Sequence, residues 1–336
     1  MSDELVKIEY KGRSINRRLK PLTDEQFKDI RDYIYKKPDW EDVKNELIAL
    51  KKGKLTIPMV RKWYYQDLLF QARNIQDKWT IEEALEHKPI IEVLYRTISG
   101  NDKIFEADKP LGYNILTAFR LSGIGICRTL PNFPLKSMDM LFEKYMPNGG
   151  NYYDYSCGWA VRMLTAMRNG INYFGTDPND RLVERLNQIA DDYNEVNGTN
   201  EKVKLYAQGS EVFIPELENT IDFSFSSPPY FKLELYTNGE QSCSEDTDYA
   251  NWKNDYLLPT IQHAFKYLKP GGIFGINIKD VKINNKIYPL CSDSCKLIES
   301  VGFEFMETCL LKNITRPAMT KGKTDEDIFI FKKPII

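Results

Sequence analysis

Four consecutive residues could together hold a planar amino group: Ser227, Pro228, Pro229 and Tyr230. The two prolines have no N–H, so the backbone around them offers carbonyl acceptors without competing donors. Ser227 adds a hydroxyl oxygen, and Tyr230 adds an aromatic face. A carbonyl and a hydroxyl oxygen would accept the two N–H bonds of an aromatic amine while the ring stacks against it. A rigid turn that only ends a strand is the structural alternative.

A second group of residues could bind a nucleotide-like ligand. Gly158 permits a tight turn in which a ligand approaches the backbone. Asp177 follows 19 residues later, and its carboxylate only accepts hydrogen bonds, which suits the two hydroxyls of a ribose. The turn has one glycine and not the G-x-G-x-x-G pattern of dinucleotide sites, so a purely structural βαβ unit is an equal alternative on this segment alone.

From about residue 132 onward, short strand-like segments alternate with helical ones, which predicts βα units on a parallel sheet. Gly158 and Asp177 follow the first two predicted strands, and Ser227 follows the fourth. Open α/β sheets bind ligands at the carboxyl ends of their strands, so all three residues are expected at one edge. The predicted strands cover residues 152–154, 173–177, 203–206, 221–225 and 273–278, followed by a hairpin of 304–312 with 328–332.

The region before residue 132 is predicted to be mainly helical. Thr23-x-x-Gln26 and Thr80-x-x-Glu83 have the spacing of capping boxes, which mark helix starts. Residues 40–63 would also fit a helix-turn-helix whose second helix carries Arg61 and Lys62. A general helical bundle explains this segment better.

Length and composition predict a folded protein of two domains, residues 1–131 (helical, with a possible role in target recognition) and residues 132–336. The 336 residues are 42% hydrophobic and 28% charged, which excludes general disorder. The net charge is −2, but residues 1–62 contain 16 Lys and Arg against 11 Asp and Glu. The stretch from Lys11 to Lys20 has no acidic residue, so it could meet phosphates or serve only as a solvated arm.

Several chemistries are poorly supported. His87 and His263 are the only histidines, which argues against a histidine-dependent hydrolase and a zinc site. Six scattered cysteines suggest reduced thiols in a cytoplasmic protein. No apolar run approaches the roughly 18 residues of a membrane span, so no membrane partner is expected. The first residues also lack an apolar signal region.

Residues 133–332 resemble the class I S-adenosylmethionine-dependent methyltransferases that modify exocyclic amines of DNA bases. Ser227-Pro228-Pro229-Tyr230 matches their Ser/Asp/Asn-Pro-Pro-Tyr/Phe loop, and the serine form is most similar to the cytosine-N4 branch. The resemblance implies an α/β fold, namely a Rossmann-like class I methyltransferase sheet with a C-terminal antiparallel hairpin. It also implies S-adenosylmethionine as cofactor, and DNA as partner, with the base flipped from a duplex or taken from a single strand.

The same resemblance assigns roles to individual residues. The four residues of the Ser227-to-Tyr230 loop are the expected catalytic residues, and Phe231 and Arg316 are expected to bind the substrate. The residues expected to bind the cofactor are Asp154, Ser156, Gly158, Asp177, Pro178, Asn179, Gly209 and Ser210. The implied mechanism is direct transfer, with the Ser227 hydroxyl oxygen and the Pro228 carbonyl positioning the amine and no covalent enzyme intermediate.

Two departures from the family pattern leave alternatives open. Ser156 stands where an aromatic residue is common, and Ala160 stands for a second glycine. Adenine-N6 methylation is the nearest alternative, because the serine form does not exclude a larger base. A catalytically inactive DNA-binding protein and a small-molecule methyltransferase are alternatives of other classes. Only about 50 residues separate the donor and catalytic motifs, so target recognition is expected from the N-terminal region or from loops 231–247 and 315–325.

Overall fold

The computed structural model describes residues 5–123, 125–236, 243, 247–311 and 326–335. The described elements divide into a first stretch, up to residue 131, and a second stretch that follows it. In the first stretch, the described strands and helices are β1 (Leu5–Tyr10), β2 (Arg13–Arg18), α1 (Asp24–Tyr35), α2 (Trp40–Lys51), α3 (Pro58–Tyr64), α4 (Gln66–Gln71), β3 (Arg73–Asn74), α5 (Ile81–Glu86), α6 (Lys88–Ile98) and α7 (Leu111–Leu121).

The second stretch alternates strands with helices before it ends in antiparallel strands. The elements up to β8 are α8 (Leu135–Tyr145), β4 (Asn151–Asp154), α9 (Val161–Arg168), β5 (Asn172–Thr176), α10 (Asp180–Asn197), β6 (Val203–Tyr206), β7 (Ile221–Ser226) and β8 (Glu234–Leu235). The remaining elements are α11 (Tyr249–Asn251), a π-helical segment (Trp252–Leu257), α12 (Leu258–Tyr267), β9 (Leu268–Asn277), β10 (Val281–Ile283), β11 (Lys286–Tyr288), α13 (Leu290–Val301), β12 (Glu304–Leu311) and β13 (Glu326–Lys332).

The chain divides into two compact units. The first consists of Met1–Pro38, Gln66–Pro131 and Glu234–Thr237, and the second of Asp39–Tyr65, Asn132–Leu233 and Asn238–Ile336. Helices α2 and α3 therefore group with the sheet, where the Asn197 side-chain amide donates to the Leu47 carbonyl at 3.4 Å. The predicted domain boundary at residue 131 concerns independent folding and stays a prediction.

The first unit contains helices, as predicted, and a hairpin that we did not predict. Thr23 and Thr80 both form complete capping boxes at the starts of α1 and α5. The basic stretch near the start of the chain forms the antiparallel pair β1–β2, in which Ile8 faces Ile15. Ile8 is buried, and its burial anchors the hairpin against the apolar core of this unit.

The second unit is built on a seven-stranded sheet in the order β6-β5-β4-β7-β9-β13-β12. All neighbours are parallel except β13, which runs antiparallel to β9 and to β12. A doubly wound parallel sheet with an antiparallel strand inserted before the edge strand is the Rossmann-like class I methyltransferase arrangement. The predicted fold class, including the C-terminal hairpin, is therefore confirmed.

Large aromatic side chains fill the centre of this sheet. Tyr152 and Tyr153 on β4 are almost completely buried, as are Phe223 and Phe225 on β7. The Tyr152 hydroxyl donates to the Phe225 carbonyl at 2.7 Å, so its polar group is satisfied inside the core. This packing fixes β4 and β7 side by side.

Within the ranges that the structure describes, no helix combines the length and hydropathy that a membrane crossing requires.

Candidate active site

Asp154 ends β4, and its buried carboxylate is held by other groups of the protein. Arg162 Nε donates to its Oδ2 at 2.8 Å, and the Tyr173 hydroxyl donates to the same oxygen at 2.9 Å. The backbone N–H of Ser156 donates to Oδ1 at 3.2 Å. A buried charge needs a partner and satisfied hydrogen bonds, and Asp154 has both. It therefore fixes the turn after β4, while direct cofactor contacts by Asp154 and Ser156 stay predictions.

The turn after β4 contains two left-handed residues. Gly158 has a φ of +55°, and Ala160, which stands for the family's second glycine, has a φ of +64°. A Cβ makes this conformation unfavourable by about 1–2 kcal/mol, so the surrounding packing must hold Ala160 in place. The N–H of Cys157 donates to the Thr176 carbonyl at 3.0 Å and ties the turn to the end of β5. The missing glycine therefore does not prevent a tight turn.

Ala160 provides a test of this backbone strain. We expect Ala160→Val to lower the free energy of unfolding by about 2 kcal/mol, because a β-branched side chain at positive φ is strained further. Ala160→Gly is expected to stay within about 1 kcal/mol of wild type. Thermal unfolding midpoints measure both changes. Ala250→Val, at an exposed helical position, is the control, and equal midpoints for the two valine variants would show that Ala160 is not strained.

Asp177 directly follows β5 and lies against the turn after β4. Its Oδ2 accepts the N–H of Gly158 at 3.3 Å, and its Oδ1 accepts the N–H of Asn179 at 3.0 Å. Burial raises the pKa of Asp177 to about 6, although these two N–H groups oppose the shift. Asn179 in turn caps α10 by accepting the N–H of Leu182 at 3.2 Å. The predicted pair Gly158 and Asp177 is thus in direct contact, and Pro178 lies in the rigid link to α10.

The turn after β6 carries Gly209 and Ser210. Ser210 is buried, and its hydroxyl lies 2.8 Å from the Thr260 hydroxyl on α12. A Cβ at Gly209 would stand 2.2 Å from Glu211 Oε1, so a larger residue here would force the Glu211 side chain to move. Glu211 Oε2 is buried and has no hydrogen-bond partner among the described residues. A buried acceptor without a partner is energetically costly. The turn after β6 therefore suits a ligand that donates a hydrogen bond to Glu211 Oε2.

Tyr256, from the π-helical segment, connects the turns after β4 and β6. Its hydroxyl lies 3.3 Å from the Ser156 hydroxyl. Burial raises the pKa of Tyr256, and hydrogen bonds with Ser156 and Ser210 oppose that shift. The tyrosine therefore stays neutral at physiological pH. π-Helical segments are rare and frequently occur at functional sites, and this one places an aromatic residue between two turns that are predicted to bind the cofactor.

Asn277 at the end of β9 holds the loop that follows β7. Its Oδ1 accepts hydrogen bonds from the Ser227 hydroxyl at 2.9 Å and from the Tyr230 hydroxyl at 3.0 Å. Its Nδ2 donates to the Asp327 carbonyl on β13 at 3.2 Å. Asn277 is 2% exposed, so these bonds are shielded from water. We call Ser227–Tyr230 with Asn277 the acceptor corner.

The acceptor corner leaves lone pairs available. Because Ser227 gives its only hydroxyl proton to Asn277, the lone pairs of its oxygen can accept a hydrogen bond from another molecule. The Pro229 carbonyl accepts the N–H of Phe231 at 2.9 Å. The Pro228 carbonyl is therefore the better candidate for the second acceptor, and its role in holding an amine stays a prediction.

The predicted stacking residues are less accessible than expected. Tyr230 is 7% exposed, and Lys279 Nζ lies 5.5 Å from its ring centre. Phe231 is 2% exposed and packs against the Tyr288 ring, 4.9 Å away, and other aromatic rings. Stacking of a base on either ring stays a prediction that would require these side chains to move. Arg316 lies outside the described residues.

The turn after β4, residues 155–160, which we call the donor turn, is directly connected to the acceptor corner. The Ser226 hydroxyl, at the end of β7, donates to the Ser156 carbonyl at 3.3 Å. Beneath them, the buried Tyr155 hydroxyl donates to the Gly275 carbonyl at 2.9 Å and contacts the Ser226 carbonyl at 3.3 Å. The parallel neighbours β4 and β7 thus bring the two predicted half-sites to one sheet edge.

Tyr65 supports the turn after β4. Tyr65, just after α3, stacks on Trp159 with ring centres 5.7 Å apart, and its hydroxyl donates to the Trp159 carbonyl at 3.0 Å. Tyr65 belongs to the same unit as the sheet. The sequence did not indicate roles for Tyr65, Arg162 and Tyr256. Of the three, only Arg162 had a local signal, because it is the one charged residue in the run Val161–Met167.

These geometric features define a class I methyltransferase fold with a candidate site at the carboxyl edge of its sheet. No family model matches the chain. The type II beta methyltransferase M.BslI of Bacillus sp. (strain NEB-606) is 25% identical over an alignment of 182 residues. This match covers 45% of the chain and 18% of M.BslI, so the chain matches less than a fifth of that relative's length.

Solved structures with similar folds include three methyltransferases. One is a geranyl diphosphate methyltransferase in complex with S-adenosylmethionine, with 12% identity, 68% of this chain and 93% of that chain covered, and a TM-score of 0.45. A Methanosarcina mazei S-adenosylmethionine-dependent methyltransferase has 15% identity, coverages of 62% and 100%, and a TM-score of 0.42. The 1,6-didemethyltoxoflavin-N1-methyltransferase of Burkholderia thailandensis has 12% identity, coverages of 60% and 78%, and a TM-score of 0.40. The assignment of the fold rests on the strand order given above.

Proposed function

We propose that this protein transfers a methyl group from S-adenosylmethionine to an exocyclic amino group of a DNA base, with cytosine N4 as the preferred target. The acceptor corner is the observation that carries this proposal. The Ser227 oxygen and the Pro228 carbonyl of this corner suit the two N–H groups of a planar amine. The corner also adjoins the donor turn through the hydrogen bond between Ser226 and Ser156. The similarity to a relative named as a type II beta methyltransferase supports the methyl-transfer part.

The residues around the donor turn fit S-adenosylmethionine. Asp177 offers a carboxylate beside Gly158, where it could accept hydrogen bonds from the ribose hydroxyls. The unpaired Glu211 Oε2 in the turn after β6 would find a donor in the amino group of the adenine ring. When bound, S-adenosylmethionine supplies a methyl group on a positively charged sulfur.

The chain's own contribution is positioning. The Ser227 oxygen and the Pro228 carbonyl would accept both N–H groups of the target amine and turn its lone pair toward the methyl group. An aromatic amine is a weak nucleophile, because its lone pair is delocalised, so orientation and local acceptors are the available means of activation. Because Asn277 accepts the hydroxyl proton of Ser227, that proton does not point at the target amine.

The choice of base and the route to it belong to the proposal. Cytosine N4 rests on the serine form of the loop, and adenine N6 is the alternative. A base in duplex DNA must be flipped out, which costs a few kcal/mol, and aromatic stacking can return a similar amount. Because Tyr230 is buried, its ring could stack on a flipped base only after the side chains of the acceptor corner move.

Nucleoside analysis tests the proposal directly. The full chain would be expressed in a host without its own methylases, and digested genomic DNA analysed by mass spectrometry. N4-Methylcytosine is the expected product. N6-Methyladenine would correct the base. Neither product, with the purified protein also inactive on DNA in the presence of cofactor, would overturn the proposed function.

Asn277 should matter for methyl transfer although it is not expected to touch the substrate. We expect Asn277→Leu to lower kcat by about 10–100-fold with little change in cofactor affinity, because both hydroxyls lose their shared acceptor. Tyr230→Phe, which removes one of the two bonds but keeps the ring, is the matched comparison and is expected to cost less. Equal kcat values for wild type and Asn277→Leu would contradict a positioning role.

A further inference from the structure

The hairpin β10–β11 projects from the sheet edge beside the acceptor corner. It begins four residues after Asn277, the residue that fixes the corner. Its base is anchored in the core, because Val281 is 3% exposed and Tyr288 packs 4.9 Å from the ring of Phe231. The hairpin is therefore held next to the loop that presents the proposed acceptors.

The far end of this hairpin is a tight turn, and residues 284–287 there are exposed. Asn284 and Asn285 both have positive φ, +49° and +63°, as in the tight type I′ turn that suits a two-stranded ribbon. Lys282 lies opposite Ile287 in the register, so both side chains are on one face, whereas Lys286, opposite Ile283, is on the other, and a bound strand would meet the two lysines from the two sides of the ribbon. Ile287 is 63% exposed, so its apolar side chain is available to a ligand.

The hairpin β10–β11 carries two lysines, Lys282 and Lys286, and no acidic residue of its own. Residues 279–288 contain three lysines and a single acid, Asp280. The Asp280 carboxylate accepts the N–H of Cys291 at 3.0 Å and so is engaged at the start of α13. Lys282 and Lys286 are exposed, and within the described part of the chain neither is paired with a carboxylate. Nearby, by contrast, Lys253 is paired with Asp293 at 3.0 Å.

Cations and aromatic rings alternate around the hairpin. Lys286 Nζ lies 4.9 Å from the ring centre of Tyr288, and Lys232 Nζ lies 5.6 Å from that of Phe231. Trp252, in the same aromatic cluster, is 1% exposed, and its Nε1 has no hydrogen-bond partner among the described residues. Because Phe231 and Trp252 are buried, the lysines beside these rings, and not the rings themselves, form the surface that a ligand would meet, and lysines suit the phosphates of a nucleic acid.

We propose that β10–β11 binds the DNA strand that carries the target base, with Lys282 and Lys286 on phosphates and Ile287 against sugar or base surfaces. The proposal rests on the proposed function, since it names the substrate contacts of that same site. Charge complementarity favours DNA over an uncharged occupant: the exposed ribbon is cationic, and it starts where the amine of a flipped base must arrive.

Salt dependence of binding tests the phosphate contacts. A fluorescein-labelled DNA duplex of random sequence would be titrated with the full chain between about 50 and 200 mM salt. The double variant Lys282→Gln/Lys286→Gln is expected to bind more weakly, and its plot of log K against log salt to be shallower by about 1.8. Ile287→Ser should weaken binding without changing the slope, because it removes no charge.

Two controls separate the possible failures. Lys136→Gln/Lys202→Gln removes two exposed lysines elsewhere in the same unit and is expected to keep the wild-type slope. If the hairpin double variant also keeps it, the proposed contact is wrong. If an RNA duplex, and not DNA, shows the hairpin-dependent slope, DNA is the wrong occupant. Calorimetric cofactor binding and nucleoside analysis of wild type report separately on the proposed function.

Discussion

Ser227→Ala is expected to lower kcat for methyl transfer by about 10²–10³-fold at saturating cofactor, the usual effect of deleting one preorganised polar contact to the reacting group. The variant removes the hydroxyl oxygen that would accept an N–H of the target amine. Cofactor affinity should hardly change, because Ser227 lies in the acceptor corner and Asp177 and Gly158 are untouched. Methyl transfer to DNA under single-turnover conditions measures the effect on chemistry.

A matched control is Ser300→Ala, which removes an exposed hydroxyl bonded to the Leu297 carbonyl in α13. This control should leave kcat unchanged. If Ser227→Ala retains more than about a tenth of the wild-type kcat, the serine oxygen is not an acceptor for the amine, and the Pro228 carbonyl would have to act alone.

Asp177→Asn is the second large effect, and we expect it to weaken binding of S-adenosylmethionine by about 10–100-fold at neutral pH. The carboxylate would accept hydrogen bonds from both ribose hydroxyls, and bonds to a charged acceptor contribute about 1.5–3 kcal/mol. Asp180→Asn, on the exposed first turn of α10, is the control. Unchanged affinity for Asp177→Asn would remove this residue from the cofactor site.

The raised pKa of Asp177 gives this prediction a pH signature. In the free protein burial raises the pKa to about 6, and the ionised form is the one that accepts from the ribose. Wild-type cofactor affinity should therefore fall as the pH drops below about 6, by up to about tenfold per pH unit. The affinity of Asp177→Asn should not show this fall. Calorimetry between about pH 5 and 8 compares the two.

The raised pKa of Asp177 also affects the stability of the fold. A higher pH is expected to favour cofactor binding but to disfavour folding without cofactor. The folded-state pKa of about 6 lies above the ordinary value of 3.8. Keeping this carboxylate ionised therefore costs folding free energy, and without cofactor that cost grows as the pH rises from about 4 to about 6 and is absent below this range. We expect cofactor binding to offset it at neutral pH.

The sheet, and the placement of Gly158, Asp177 and Ser227 at one edge of it, were predictable because their signals are local. The strands before Gly158, Asp177 and Ser227 are short, apolar and followed by turn residues, so their shared edge follows from the rules of parallel sheets. The conformation of Ala160 was not predictable, because alanine has no local preference for positive φ and only the surrounding packing imposes it.

The contacts that complete the site were not predictable, because they join residues far apart in the chain. Asn277 reaches Ser227 only because β9 lies next to β7, and Tyr65 reaches Trp159 only because α3 packs in the unit of the sheet. The hairpin β1–β2 did have a local signal, an alternating apolar pattern interrupted by Lys11-Gly12. Its many charged residues outweighed that pattern and suggested a solvated arm instead.

The order of strands in the sheet also bears on when the sheet can be completed during synthesis. β13 lies between β9 and β12, although it follows both in the chain. While the ribosome is still making β13, β12 has no strand to join, and the Asn277 amide lacks the Asp327 carbonyl that it binds in the finished fold. We therefore expect the antiparallel edge of the sheet, and the contact between Asn277 and Asp327, to form only after β13 has been made.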